Sequence, residues 1–289
     1  MQPYRPEGLG GPVPDREALR QGIPDQKIFS GLCTKCDELA NLHVDIGGIR
    51  GIIPREEAAL GGIRETVIRS RVGKPVCFQV LGFDSRGTAI LSRRAAQQEA
   101  KRYFLSALRP GDILTAVVQN PRELGVFCDI GCGFSALMRI DRCCISRLCT
   151  AAELYQPGQC IPVAVLAVDG ELGFVHLTGR ELLGTWEENA EGFRQGQTVT
   201  GTVRSILPYG IFVELTPNLS GLAEPTPGIQ VGDPVSIFLR AILPEKHKIK
   251  LNILEKLPAP LGVKPEFFIT SGHIGRWEYY PGSKALTYF

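Results

Sequence analysis

The chain has 289 residues, nine cysteines and a formal net charge of +2, from 32 basic and 30 acidic residues. A charge so close to zero does not by itself indicate a nucleic-acid partner. No uncharged apolar stretch approaches the ~18 residues of a membrane helix and no signal peptide is visible near Met1, so the sequence predicts a cytoplasmic protein with no membrane partner.

The first thirty residues differ from the rest because prolines alternate with glycines there. This composition predicts an extended arm over residues 1–30 with little structure of its own. Residues 31–94 follow as a first unit of short apolar strand segments that ends on Leu91-Ser92. Between Arg50 and Arg109, twelve basic residues stand against five acidic ones. This excess predicts phosphate contact, an ordinary solvated surface or a docking patch for an acidic protein.

A helical connector is predicted over residues 95–109, because small and aromatic residues recur there at helical spacing: Ala96, Ala100, Tyr103 and Ala107. Residues 110–179 form a second unit with strand segments, which ends on Leu177-Thr178. A second connector, residues 180–195, carries a helical apolar stripe that includes Trp186. We expect Trp186 to pack against the bottom of a barrel or to fix the angle between the second and third units.

The clearest pattern lies in a third unit, residues 196–254. β-Branched residues alternate with others over 198–206, which predicts a strand. In the next predicted strand, Gly210 marks a bend between Tyr209 and Phe212. Such a bend would place both rings on one outer surface, where unpaired bases could stack on them. The alternative is that both rings belong to the core.

This third unit resembles an S1 RNA-binding domain on residues that span the whole domain: Gly196, Gly201, Val203, the run Tyr209-Gly210-Ile211-Phe212-Val213, Gly221-Leu222, Gly232-Asp233 and Ile249-Lys250-Leu251. The first two units resemble more divergent copies. The resemblance implies an all-β-dominated fold of three tandem five-stranded OB barrels joined by short helices. The chain over residues 31–253 also resembles short bacterial proteins grouped with ribosomal protein S1. In that family the early domains dock on the ribosome and later ones hold messenger RNA.

The family's RNA surface uses two aromatic rings, a histidine, an aspartate and an arginine. The ring positions correspond to Leu39 and Leu42 in the first unit, Leu124 and Phe127 in the second, and Tyr209 and Phe212 in the third. The histidine position holds Pro54, Arg139 and Glu224 in turn, while Pro244 stands at the aspartate and Lys248 at the arginine of the third unit. A carboxylate at Glu224 would repel phosphate.

We therefore predict that the third unit holds most of the RNA. Its rings Tyr209 and Phe212 would stack on bases, and its phosphate contacts would come from Arg204, Lys248 and Lys250. The second unit is predicted to contribute one ring and one cation, Phe127 and Arg139.

The residues after 254 carry seven aromatic side chains and are predicted to fold back as a small β appendage, residues 255–289, over the third unit or its neighbour. The alternative is that Arg276, Trp277 and Tyr280 extend the stacking surface for RNA.

No nucleotide-binding loop, nucleophile motif or carboxylate cluster is visible, so the protein is predicted to be non-enzymatic and to need no cofactor. Cys33 and Cys36 have the spacing of half a zinc site, but no second pair completes four ligands, so no metal is predicted. The predicted function is binding of single-stranded RNA, messenger RNA in particular, in translation. Two alternatives stay open: a module that docks on the small ribosomal subunit or on an RNA-processing enzyme, and a nuclease or RNA-modifying subunit.

Overall fold

A computed structural model describes residues 2–11, 13–61, 64–259 and 265–289 and shows three closed five-stranded barrels followed by a small hairpin. Each barrel closes because inward apolar side chains alternate with outward polar ones along its strands. The all-β-dominated fold with three OB-type barrels, short helices and a C-terminal β appendage is confirmed. Pro260 and Lys264, which belong to the predicted appendage, lie outside the described residues.

The three barrels use the same ladder, in which the third and fifth strands are parallel and the other neighbours antiparallel. Barrel one contains β1 Ile28–Cys36, β2 Leu42–Ile46, β3 Ile49–Ile53, β4 Pro75–Phe83 and β5 Ala89–Ser92. Barrel two contains β6 Ile113–Arg122, β7 Gly125–Asp129, β8 Ser135–Arg139, β9 Cys160–Asp169 and β10 Phe174–Thr178. Barrel three contains β11 Thr198–Leu207, β12 Gly210–Thr216, β13 Leu219–Ala223, β14 Pro234–Leu243 and β15 Lys248–Lys256.

In the described part of the chain, four α-helices accompany the barrels: α1 Arg16–Gln21, α2 Glu65–Arg69, α3 Arg93–Ala107 and α4 Trp186–Ala190. The connector helix α3 begins at Ser92, whose hydroxyl accepts a hydrogen bond from the Ala95 N–H at 2.9 Å. Such an N-cap satisfies a backbone donor that the first helical turn leaves free. The second connector is divided at Gly184 into a 3₁₀ turn, Arg180–Leu183, and α4.

The second connector and the C-terminal segment pack together against barrel three. This segment forms the hairpin β16 Arg276–Glu278 and β17 Leu286–Tyr288. Trp186 is buried, and its backbone N–H donates to the Tyr279 carbonyl at 2.9 Å. Trp277 is only 6% exposed. The alternative in which Trp277 offers a stacking surface is therefore wrong, because this ring completes the core between hairpin and barrel.

Residues 2–11 of the arm lie between barrels one and two, where Glu7 is only 8% exposed. The Glu7 carboxylate accepts hydrogen bonds from Arg93 Nε at 2.6 Å and Nη2 at 2.8 Å, and from the Cys77 N–H of barrel one at 3.1 Å. The Glu7 N–H donates to Asp129 of barrel two at 2.7 Å. The predicted arm also contains α1, whose Leu19 is fully buried.

Candidate nucleic-acid interface

A row of three side chains crosses the outer face of barrel three. Phe212 on β12 lies opposite Leu222 on β13, which lies opposite Lys250 on β15. Neighbouring strands are ~4.8 Å apart, so the backbones at Phe212 and Lys250 are about 10 Å apart. Lys248 lies two residues before Lys250 and therefore points to the same face.

Tyr209 adds a second ring beside Phe212. The ring centroids are 6.4 Å apart and the ring planes meet at 87°. A Cβ at Gly210 would lie 2.7 Å from the Ala223 carbonyl oxygen, so glycine allows the chain to pass this close to β13. Tyr209 is 66% exposed, whereas Ile211 is buried in the core. The alternative that both rings are core residues is therefore wrong.

The charges around this row are mixed. Lys248 and Lys250 are exposed, and neither forms an ion pair with any residue that the structure describes. Glu224, at the family's histidine position, accepts a hydrogen bond from Arg240 Nη1 at 3.1 Å. Both of these side chains are well exposed, so the pair contributes little to stability. It does place a cation beside the carboxylate and reduces the local repulsion of phosphate.

Arg204 lies apart from the row, at the contact between barrels two and three. Its Nε and Nη2 each donate to Glu214 at 2.9 Å, and its Nη1 donates to Glu153 of barrel two. Burial acts to lower the pKa of Arg204, but its hydrogen bonds to the two carboxylates outweigh this and raise the pKa. Because the side chain is only 11% exposed, the structure does not bring Arg204 together with the predicted phosphate contacts.

Barrel two carries the corresponding row Phe127, Leu137 and His176. Phe127 is 43% exposed. Arg139 lies diagonally across from it on the same face, where its Nε donates to Asp141 at 3.1 Å. His176 occupies the position that Lys250 holds in barrel three. His176 was not predicted at this position. The sequence does contain the signal, because His176 directly precedes Leu177-Thr178 as Lys250 directly precedes Leu251-Asn252.

In barrel one the second predicted ring position, Leu42, is wrong by one residue. A β-bulge in the first strand places Lys35 opposite His43, just as Ser205 lies opposite Phe212 in barrel three. The counterpart of Phe212 is therefore His43 instead of Leu42. Leu42 points inward and is fully buried.

The row of barrel one is His43, Ile52 and Ile90, with no Phe, Tyr or Trp. His43 Nε2 lies 3.2 Å from an Asp37 carboxylate oxygen. The basic excess around this barrel is also partly neutralised, since five of its arginines form ion pairs with glutamates: Arg69, Arg71, Arg93, Arg94 and Arg102. Barrel one therefore presents neither the stacking rings nor the free cations of barrel three on this row.

The described residues also bear on metal binding and on membrane insertion. No group of three or more Cys, His, Asp and Glu side chains is placed to hold a metal ion there. No helix in that part of the chain is long and apolar enough to cross a membrane.

Comparison with known proteins agrees with this geometry. The chain is 28% identical over 236 residues to small ribosomal subunit protein bS1 of Leuconostoc lactis. The matched region covers 75% of this chain and 54% of the relative. The chain is 29% identical over 222 residues to the bS1 homolog of Bacillus subtilis (strain 168), covering 74% and 56%. The chain is similar to ribosomal S1 proteins. It spans about half the length of these S1 relatives.

No protein-family model matches the chain. Among solved structures, a multidomain protein with nucleic acid binding domains from Streptococcus pneumoniae TIGR4 has 16% sequence identity and a TM-score of 0.27, and the match covers 80% of this chain and 74% of that one.

Proposed function

We propose that this protein binds single-stranded RNA, messenger RNA in particular, without catalysing a reaction on it, and that it acts in translation. One observation carries the proposal: Tyr209, Phe212, Lys248 and Lys250 share one exposed face of barrel three. The similarity to ribosomal S1 proteins supports the same role. RNA is held mainly by barrel three.

The two rings define how RNA lies on this face. Since their planes are nearly perpendicular, one base cannot stack on both, and the strand turns between a base on Tyr209 and a base on Phe212. Each stacked base contributes ~1–3 kcal/mol, while Lys248 and Lys250 neutralise the phosphates beside them. Stacking accepts every base, so sequence preference is weak. Arg204 is not part of this surface because Glu153 and Glu214 occupy its guanidinium.

Barrel two makes a weaker contribution. It offers one exposed ring, Phe127, with Arg139 on the same face and His176 on the same row. We further propose that residues 31–94, 110–179 and 196–254 act as three domains with graded affinity for RNA, lowest in the first.

Fluorescence anisotropy of a labelled oligouridine at several salt concentrations tests the proposal. The variant Tyr209→Ala, Phe212→Ala is expected to bind at least about tenfold more weakly than wild type, since each ring contributes ~1–3 kcal/mol. Its thermal unfolding should be unchanged, because Tyr209 is exposed and Phe212 lies on the outer face. Equal binding by wild type and variant would contradict the proposal.

Docking on a protein partner, in the small ribosomal subunit or an RNA-processing enzyme, is the second candidate. The aliphatic row of barrel one, Ile52 and Ile90 beside His43, favours it because this surface lacks the rings needed for stacking. Retention of ribosomal proteins on the immobilised chain after RNase treatment, together with no RNA binding in the anisotropy measurement, would support docking instead.

A further inference from the structure

A groove with a volume of about 780 Å³ separates barrels one and two. Its floor is the arm at residues 7–9. One wall is the segment around α2 and the start of β4, and the other is the outer face of β6, β7 and β8 with residues 157–158. Ligand pockets in proteins usually have volumes of ~300–1,000 Å³, so the groove is large enough for a nucleotide.

The wall from barrel two offers a base-sized contact. Phe127 lines the groove with a partly exposed ring, and Asn120 lies directly opposite it across the β6–β7 ladder. The Asn120 side chain is exposed, and its Oδ1 accepts a hydrogen bond from Arg122 Nε at 3.1 Å, so the amide N–H groups are what it offers to a ligand. Deeper in the same wall, the Ser135 hydroxyl donates to Gln119 Oε1 at 2.5 Å. An aromatic face next to exposed amide N–H donors suits a base better than it suits an aliphatic ligand.

The wall from barrel one offers positive charge. Lys74 is exposed and forms no ion pair among the residues that the structure covers. Its position is fixed, because its carbonyl accepts a hydrogen bond from the Cys33 N–H at 3.0 Å. Beside it, Arg71 Nη1 lies 3.3 Å from Glu7 Oε2. A phosphate in the groove would therefore meet a free ammonium group on a fixed loop.

The two carboxyl groups in the floor, Glu7 and Asp129, do not give the groove a negative bottom. Glu7 is bound by Arg93 and Arg71, and Asp129 accepts hydrogen bonds from the Glu7, Gly131 and Gly133 N–H groups. Two guanidinium groups thus accompany two carboxyl groups beneath the groove. The charge that remains at its mouth comes from Lys74.

We propose that this groove holds one nucleotide of the single-stranded RNA bound by barrel three. The base stacks on Phe127 and hydrogen-bonds to Asn120, and Lys74 of barrel one neutralises the phosphate. The site rests on the proposed RNA-binding function and adds to it a contact from barrel one, whose own outer row has no stacking ring. It forms only when the arm holds barrels one and two together.

Photochemical crosslinking tests the site directly. A thirty-nucleotide oligouridine that contains 4-thiouridine is irradiated with the full chain, and crosslinked peptides are identified by mass spectrometry. We expect crosslinks to the peptides with Phe127 and with Lys74, on the two walls of the groove, in addition to those at Tyr209 and Phe212. Crosslinks in barrel three alone would overturn the groove site and leave the proposed function standing. Crosslinks in the groove alone would support the groove and overturn the assignment of RNA to barrel three, and none at all would overturn both.

The cation has a matched control in the same barrel. Lys74→Ala should weaken binding of the same RNA about two- to fivefold and lower the slope of log affinity against log salt by about 0.7, the value for one phosphate contact on a single strand. Lys35→Ala removes an exposed lysine of barrel one that does not line the groove, and it should leave affinity and slope unchanged. Equal effects of the two variants would mean that Lys74 acts only through general electrostatic attraction. That result would overturn the specific contact.

Discussion

Barrels one and three have the same strand ladder and differ in what they place on it. On the row that joins the second, third and fifth strands, barrel three has Phe212, Leu222 and Lys250, whereas barrel one has the triplet His43-Ile52-Ile90. Because the backbone is shared, the fold alone cannot explain a difference in binding. In the proposed function, the side chains of this row decide which barrel stacks bases and neutralises phosphates.

The two barrels are also attached to barrel two by different chemistry. Barrel three is attached by the buried Trp186 and Trp277 and by the ion pairs of Arg204. Barrel one is attached through Glu7 of the arm and the fully buried Arg93. The attachment of barrel one therefore depends on a buried charge that needs its partner. Mutation of that partner can test the difference between the two attachments.

The largest effect is expected for Glu7→Ala. Removal of this carboxylate leaves the buried Arg93 guanidinium without its ion-pair partner and with only its hydrogen bond to the Ala58 carbonyl among the described contacts, which typically costs ~3–5 kcal/mol. Urea denaturation followed by circular dichroism should show an earlier transition for barrels one and two. Tryptophan fluorescence should be unchanged, because Trp186 and Trp277 both lie in the core around barrel three.

Glu17→Ala is the control for this prediction, since Glu17 is exposed on α1 and its side chain accepts a hydrogen bond from Gln21 Nε2 at 3.1 Å. It should leave both transitions in place. A Glu7→Ala protein that unfolds like wild type, or one in which both signals shift together, would contradict the separate attachment of barrel one.

A smaller effect is expected from pH at the same junction. Burial, and after it the charge of Glu7, raises the pKa of Asp129 to about 7 from an ordinary 3.8, against hydrogen bonds from the Glu7 and Gly131 N–H groups and the charge of Arg93. Between these two values the folded chain holds a proton that the unfolded chain releases. The free energy of unfolding should therefore fall as pH rises from about 4 to 7.

Urea denaturation by circular dichroism across that range measures the slope, and Asp129→Asn should flatten it while lowering stability overall, because its amide nitrogen cannot accept the backbone hydrogen bonds. A slope that is equally steep in Asp129→Asn would assign the pH dependence to another group.

Much of barrel three could be predicted from its sequence. Alternating β-branched residues predict β11, and the spacing of Tyr209 and Phe212 around Gly210 predicts the paired outer rings, because both signals are local. The fate of Arg204 could not be predicted in this way. Its partner Glu153 lies in another barrel, and no periodicity or motif connects the two residues.

Barrel one shows a second limit of sequence reasoning. No Phe, Tyr or Trp stands at its ring positions to indicate the register. In addition, the loop between β1 and β2 is longer than the one between β11 and β12. A shift of one residue exchanges the inner and outer faces of a strand, so Leu42 was predicted at an outer position that His43 holds. Glu7 was missed for a different reason, because the composition of a proline- and glycine-rich arm gives no sign of a buried ion pair.

The central claim is that the outer face of barrel three, with its row Phe212, Leu222 and Lys250, gives this barrel its RNA affinity. Its most direct test replaces that row with the row of barrel one, in the variant Phe212→His, Leu222→Ile, Lys250→Ile of the full chain, and measures oligouridine binding by anisotropy. We expect affinity to fall at least about tenfold, from the lost stacking and phosphate contact, with the thermal unfolding of wild type retained. Unchanged affinity in a folded variant would contradict the claim and move RNA binding to another surface.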